Sequence, residues 1–165
     1  MNTCLIIIDV QRGFINENTK HIPNMVKMLL DKQSFDHVVC TKFINKEPSA
    51  FTNLMNWYDL MDKPSQKLDK FVESVSERVF KKNSYSCFTK EFEEYLIDNE
   101  IDKLYFLGID TDACVLKSAL DCFERNINFE VLTNYCASTG GEEIHEAAIK
   151  IMDRNISGNC VNKEM

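Results

Sequence analysis

The sequence predicts a three-layer α/β/α sandwich on a mostly parallel, six-stranded sheet. Short apolar runs such as "CLIIIDV" and "KLYFLGI" suit strands buried on both faces. Segments with apolar residues at helical spacing alternate with those runs along the chain. The 165 residues, 44% of them hydrophobic, suffice for one sizeable core, so a single domain over residues 1–165 is expected.

The elements follow in order. Residues 4–10 read as the first strand. "IPNMVKMLLDK" (22–32) has helical spacing, with Pro23 tolerated near the helix start. "HVVCTKFI" (37–44) reads as a strand, and "SAFTNLMNWYDLM" (49–61) as a helix carrying Trp57. The polar stretch 62–78 gives no clear signal. "RVFKK" (78–82) suits a short edge strand. "TKEFEEYLIDNE" (89–100) reads as a helix capped by Thr89, with acids near its positive end. Strand 103–109, helix 111–126, strand 129–136 and helix 141–155 follow, and the tail at 158–162 offers a last short strand. On helix 111–126, Val115, Ala119, Leu120 and Phe123 read as the core face. Cys114, Ser118 and Cys122 form a separate line of small residues.

Composition narrows the function. A net charge of −7 argues against nucleic acid or an anionic membrane as partner. No run approaches the roughly 18 apolar residues of a membrane-spanning helix. The start "MNTCLIIIDV" lacks a basic leader and a cleavage site and reads as a strand, not a signal peptide. Seven cysteines without a CxxC pair read as reduced thiols in a cytoplasmic protein. His21, His37 and His145 lie far apart in sequence, without HxxH or DxH spacing, so no zinc site is expected.

In an open parallel sheet, ligands bind beyond the carboxyl ends of the strands. Two strands end in reactive groups. The first ends at Asp9, a carboxylate after four apolar residues, which is costly there unless paired or used. The other runs into "GIDTDACV", with Cys114 in the first turn of a helix capped by Thr111 or Asp112. Free N–H groups and the positive end of the helix dipole favour an anion at that turn, which lowers a thiol pKa and can hold an oxyanion. Gly108 permits an unusual turn just before it. A buried structural cysteine and a turn aspartate remain the alternative readings. "VFKKNSYSCF" offers Lys81 and Lys82 as partners for Asp9. Alternation turns one of the two inward without selecting which.

Taken together, "LIIIDVQRGF", "KNSYSCF", "GIDTDACV" and "VLTNYCAST" resemble the isochorismatase-like cysteine hydrolases, which include nicotinamidases and N-carbamoylsarcosine amidases. The resemblance covers nearly the whole chain. It implies the strand order 3-2-1-4-5-6, a catalytic set of Asp9, Lys82 and Cys114, and an oxyanion hole from the backbone N–H groups of Asp110 and Cys114. A cis peptide at Ile109–Asp110 and an aromatic substrate pocket of Phe14, Trp57 and Tyr85 are implied as well. The function so implied is hydrolysis of a small amide or other C–N bond through a thioester. The alternatives are a nicotinamidase proper, or a non-catalytic binding or redox-sensing member with a reactive thiol.

The sequence also departs from that family. Metal-dependent nicotinamidases carry an aspartate and histidines after the second strand, where this chain reads "CTKFINKEPSAF". Asp110 stands where a small residue is usual, and Asn134 where an aspartate is common. A true isochorismatase cleaves a vinyl ether and needs no thiol, so Cys114 argues against that chemistry. No metal or other cofactor is expected. The expected partners are a small-molecule substrate and further copies of the chain, with neither nucleic acid nor membrane.

Overall fold

The computed structural model describes residues 1–162. Its strands are β1 (Thr3–Ile8), β2 (His37–Phe43), β3 (Arg78–Lys82), β4 (Lys103–Ile109), β5 (Asn128–Ala137) and β6 (Val161–Asn162). They form a six-stranded sheet in the order β3-β2-β1-β4-β5-β6, with every pairing between neighbouring strands parallel. The expected architecture and order are those observed.

The helices are α1 (Ile22–Lys32), α2 (Ala50–Asn53), α3 (Lys70–Val75), α4 (Lys90–Asp98), α5 (Leu116–Glu124) and α6 (Glu142–Ile156). A right-handed crossover from β1 to β2 runs one way across the sheet, and one from β4 to β5 runs the other way. The helices therefore divide between the two faces. α1 packs with α3, and α5 packs with α6. α4 meets α5 through Arg125, whose Nε donates to Glu93 at 2.9 Å. Between them Cys4, Leu5, Ile6, Ile7 and Ile8 of β1 are completely buried, as a central strand covered on both faces must be. Among the described residues no helix is long and apolar enough to cross a membrane.

The order reverses between β1 and β4, so the crevice of the sheet opens above their carboxyl ends. Here the two strands approach unusually closely. Gly108 lies opposite Ile8 at a φ of 127°, and a Cβ added there would fall 2.1 Å from the Ile8 carbonyl oxygen. Glycine is the residue that fits.

Three expectations need correction. Trp57 is not on a helix, because α2 stops at Asn53. Ser49 and Thr52 close a capping box at its start. Beyond its end, Asn56 and Leu60 take left-handed backbone angles, which cannot continue a helix. The Asn45 side chain then donates to the carbonyls of Trp57 and Asp59 at 3.1 and 3.0 Å, fixing the loop. Second, residues 111–126 are not one regular helix. Thr111–Val115 form a wide π turn that leads into α5, and its N-cap is Asp110 without a side-chain cap. Third, Phe123 points outward at 52% exposure, while Ser118, Ala119 and Cys122 face inward. The small-residue line is thus part of the buried face.

The polar stretch 62–78 is tied down by main-chain bonds. Arg12 and Gly13 donate to the carbonyls of Lys67 and Ser65 at 2.8 Å each, and Asp69 donates to Val10 at 2.9 Å. Asp69 then caps α3 by accepting from Phe71 and Val72.

Replacing Gly108 tests the close strand approach. Gly108→Ala should destabilise the fold by about 3 kcal/mol or more, since it adds backbone strain to a clash with main chain. Urea denaturation reads this as a lowered midpoint. An unchanged midpoint would mean that β1 and β4 can separate freely at this point.

Candidate active site

Asp9 is the first residue beyond β1 and adopts a left-handed φ of 49°, which aspartate tolerates better than most residues. The turn ends β1 and leaves the carboxylate fully buried. One oxygen, Oδ1, accepts from the Thr41 hydroxyl at 2.7 Å, and that hydroxyl in turn accepts from the Asp9 N–H at 3.2 Å. Oδ2 lies 2.6 Å from Lys82 Nζ. The carboxylate thus pairs with the ammonium and is also a hydrogen-bonding neighbour of the Cys114 thiol.

Lys82 closes β3, and Phe43 of β2 is its register partner. Alternation along "RVFKK" turns Phe80 and Lys82 inward and leaves Lys81 exposed. The ammonium donates to the carbonyls of Ser84 and Tyr85 at 2.8 and 3.2 Å and to Cys114 Sγ at 3.4 Å. Burial by itself would lower the Lys82 pKa. Attraction to Asp9 and to the Cys114 sulfur outweighs it, and the net direction is upward.

Cys114 lies in the π turn beyond β4, 5% exposed. The Asp110 carbonyl accepts from both Ala113 and Val115, on either side of Cys114. The Ile109–Asp110 peptide just before this turn is cis, as the resemblance implied. Burial pushes the Cys114 thiol well up, the Asp9 charge pushes it further, and Lys82 opposes both. A lowered pKa was the expectation from position, and charge counting explains the difference. Asp9 and Lys82 already neutralise each other, so a thiolate would bring an unbalanced charge into a dry site. The resting sulfur is therefore a neutral thiol.

These groups meet across four adjacent strands. Lys82 comes from β3, Thr41 from β2, Asp9 from β1 and Cys114 from the turn after β4. A cavity of about 410 Å³ opens onto the sulfur. Phe14, Trp57 and Tyr85 all line it, as do Phe43, Phe51 and Met55. The Phe14 and Trp57 rings are near-parallel at 11°, and Phe51 meets Tyr85 edge-on at 5.0 Å. Asp59, Asp110 and Asp112 add three carboxylates to the same wall. Asp110 accepts from the Thr139 N–H at 2.6 Å and its hydroxyl at 2.9 Å. Burial nevertheless raises its pKa to about 6, against those hydrogen bonds and with help from Asp112 and Asp9.

The whole chain can now be compared with known proteins. The family model described as "Isochorismatase domain" matches residues 3–161. This chain belongs to the isochorismatase family. A relative from Dictyostelium discoideum, isochorismatase family protein 2A, is 26% identical over 157 residues, which cover 93% of this chain and 74% of that protein. A nicotinamidase from Bacillus subtilis has a TM-score of 0.77 at 21% identity, over 99% of this chain and 100% of that one. A cysteine hydrolase from Pseudomonas syringae pv. phaseolicola has a TM-score of 0.79 at 16% identity, over 93% and 85% of the two chains. At these identities the two structures are alike in fold. Hydrolases are among the members of the isochorismatase family.

Two further residues brace the site without having been singled out in the sequence. Thr41 and Gln11 are fully buried polar groups that brace the centre. Gln11 donates to the carbonyls of Phe43 and Gln66 and accepts from the Phe43 N–H, joining β2 to the loop before α3. Thr41 had one usable sign, a hydroxyl inside an otherwise apolar buried strand. Asn134 faces away from this cavity. It lines a second one, of about 480 Å³, with His21 and His145. There Glu142, His145 and Glu146 bring potential ligand atoms within 4.8 Å of one another, a grouping missed by looking only for paired histidines. His145 Nδ1 also bonds the Thr111 hydroxyl at 2.7 Å.

Two measurements test the electrostatics. Asp9→Asn removes a negative charge and leaves Lys82 unbalanced, so the Cys114 pKa should fall. Ultraviolet thiolate absorbance should titrate at lower pH than in wild type, and a Cys114→Ser background should abolish that step. An upward shift would contradict the charge count. For Asp110, a folded pKa near 6 against an ordinary 3.8 means that the fold binds the proton more tightly than the unfolded chain does. Its ionisation therefore costs stability as pH rises from about 3.8 through about 6. Asp110→Asn should be more stable than wild type above that window, by about 1–3 kcal/mol. The difference should vanish in acid, and thermal unfolding across pH reads it.

Proposed function

We propose that this protein is a cysteine hydrolase that cleaves a small amide or another C–N bond through a thioester on Cys114. The observation that carries the reading is the buried contact of Asp9, Lys82 and Cys114 at the end of an open, aromatic-lined cavity. A structural cysteine needs neither a fully buried ion pair beside it nor an opening toward solvent. A thiol sensor would leave the Asp9 carboxylate without a task.

The chemistry follows from the neutral resting thiol. As the sulfur attacks the substrate carbonyl, the thiol proton passes to Asp9 Oδ2. The carbonyl π electrons move onto oxygen, and the N–H groups of Asp110 and Cys114 hold that oxyanion. Asp9 then gives the proton to the departing nitrogen, the C–N bond breaks, and an acyl thioester remains. Water attacks the thioester as Asp9 takes its proton, the C–S bond breaks as Asp9 returns that proton to the sulfur, and the carboxylic acid leaves. Lys82 stays protonated throughout. It balances Asp9 when the carboxylate is ionised and the sulfur when the thiolate develops.

A substrate panel scored by ammonia release tests the reading. Cys114→Ser and Lys82→Ala should each lose activity by roughly three orders of magnitude or more. Lys81→Ala should stay near wild type, because its side chain is exposed. Rapid quenching should reveal an acyl adduct on Cys114 by mass spectrometry of the intact protein. Amide hydrolysis that survives in Cys114→Ser would sink the proposal.

A further inference from the structure

We infer that the cavity above Cys114 selects a small cationic ligand, an amide carrying an ammonium or other permanent positive charge. The inference rests on the hydrolase reading for where the scissile group sits, and on the cavity wall for what the rest of the ligand must be.

The wall combines two kinds of group. Aromatic faces from Phe14, Trp57 and Tyr85 form the apolar part, and Asp59, Asp110 and Asp112 form the charged part. No lysine, arginine or histidine contributes to that lining among the described residues. Lys82, which reaches the Cys114 sulfur at 3.4 Å, is committed to Asp9. Asp59 accepts from the Trp57 indole N–H at 3.0 Å, so a carboxylate stands directly beside the largest ring. Asp112 lies close enough to Asp110 to repel its charge, and both line the same cavity. An anionic ligand would add to that repulsion. A neutral ligand would strip water from the carboxylates and return nothing. A cation over the aromatic faces satisfies both parts, since ring quadrupoles and carboxylates attract it together. The overall charge of −7 supports the same preference at longer range.

Binding can be measured apart from catalysis. The chain has one tryptophan, Trp57, and it lines the cavity, so intrinsic fluorescence reports occupancy. Titrating Cys114→Ala protein with glycine betaine amide and with its uncharged carbon isostere, tert-butylacetamide, isolates the effect of one positive charge at constant shape. The cation should bind at least about tenfold more tightly, with an advantage that shrinks as salt is added. Asp112→Asn should weaken the cation roughly threefold or more and should not weaken the isostere, which loses only a carboxylate it had to desolvate. A dissociation constant for the cation no lower than for the isostere, absence of binding included, overturns the inference. The two readings fail separately. Cation binding without any Cys114-dependent hydrolysis would overturn the hydrolase alone. Cys114-dependent hydrolysis confined to neutral amides would overturn the cationic ligand alone.

Discussion

The buried ion pair of Asp9 and Lys82 is the constraint around which the rest is arranged. Two charges with fully buried side chains are costly to desolvate, and they persist only when their remaining valences are met. Thr41 satisfies one carboxylate oxygen, and the carbonyls of Ser84 and Tyr85 satisfy the ammonium. The contributors come from the carboxyl-terminal parts of three adjacent strands, or from the loops after them. The pair therefore forms only if β3, β2 and β1 are in their observed register. Gln11 adds a second brace from β1 to β2 through the Phe43 main chain.

The same pair determines what kind of nucleophile Cys114 can be. A cysteine at a helix start beside a lysine is ordinarily expected to ionise. Here the lysine is already neutralised, and the turn is a wide π turn and not a regular helix start. The thiol is held neutral, next to an oxygen ready to take its proton. Reactivity is tied to proton transfer within the site and not to a standing thiolate. Indiscriminate alkylation or oxidation of the sulfur is correspondingly disfavoured, since those reactions begin from the thiolate.

Much of this was legible in the sequence because strong local patterns coincide with it. The apolar run of β1 and the spacing of α1 predict those elements closely, and alternation in "RVFKK" narrows the inward lysine to one of two. The order of the strands and the choice of Lys82 came from likeness to a known family. What escaped depends on contacts between distant segments. Residues 54–61 look helical by composition, yet Asn45 and two left-handed residues hold them as a loop. Asp59 reaches the cavity from a loop outside any recognisable motif, and nothing in "VLTNYCAST" says that its last residue, Thr139, meets the Asp110 carboxylate there. The sign of the Cys114 pKa shift was hidden for a related reason. It depends on the net charge of three residues brought together by the fold.

Lys82 also belongs to the outermost strand on its side of the sheet. Edge strands ordinarily fray first, and their amides exchange with solvent before those of the centre. Peeling β3 away here would drag the ammonium off Asp9 and strand a carboxylate in the core. The free energy for opening that edge therefore includes the cost of separating buried charges. The same electrostatic bond that organises the site thus keeps β3 seated, so that β2 is not laid bare as a new edge for a foreign strand.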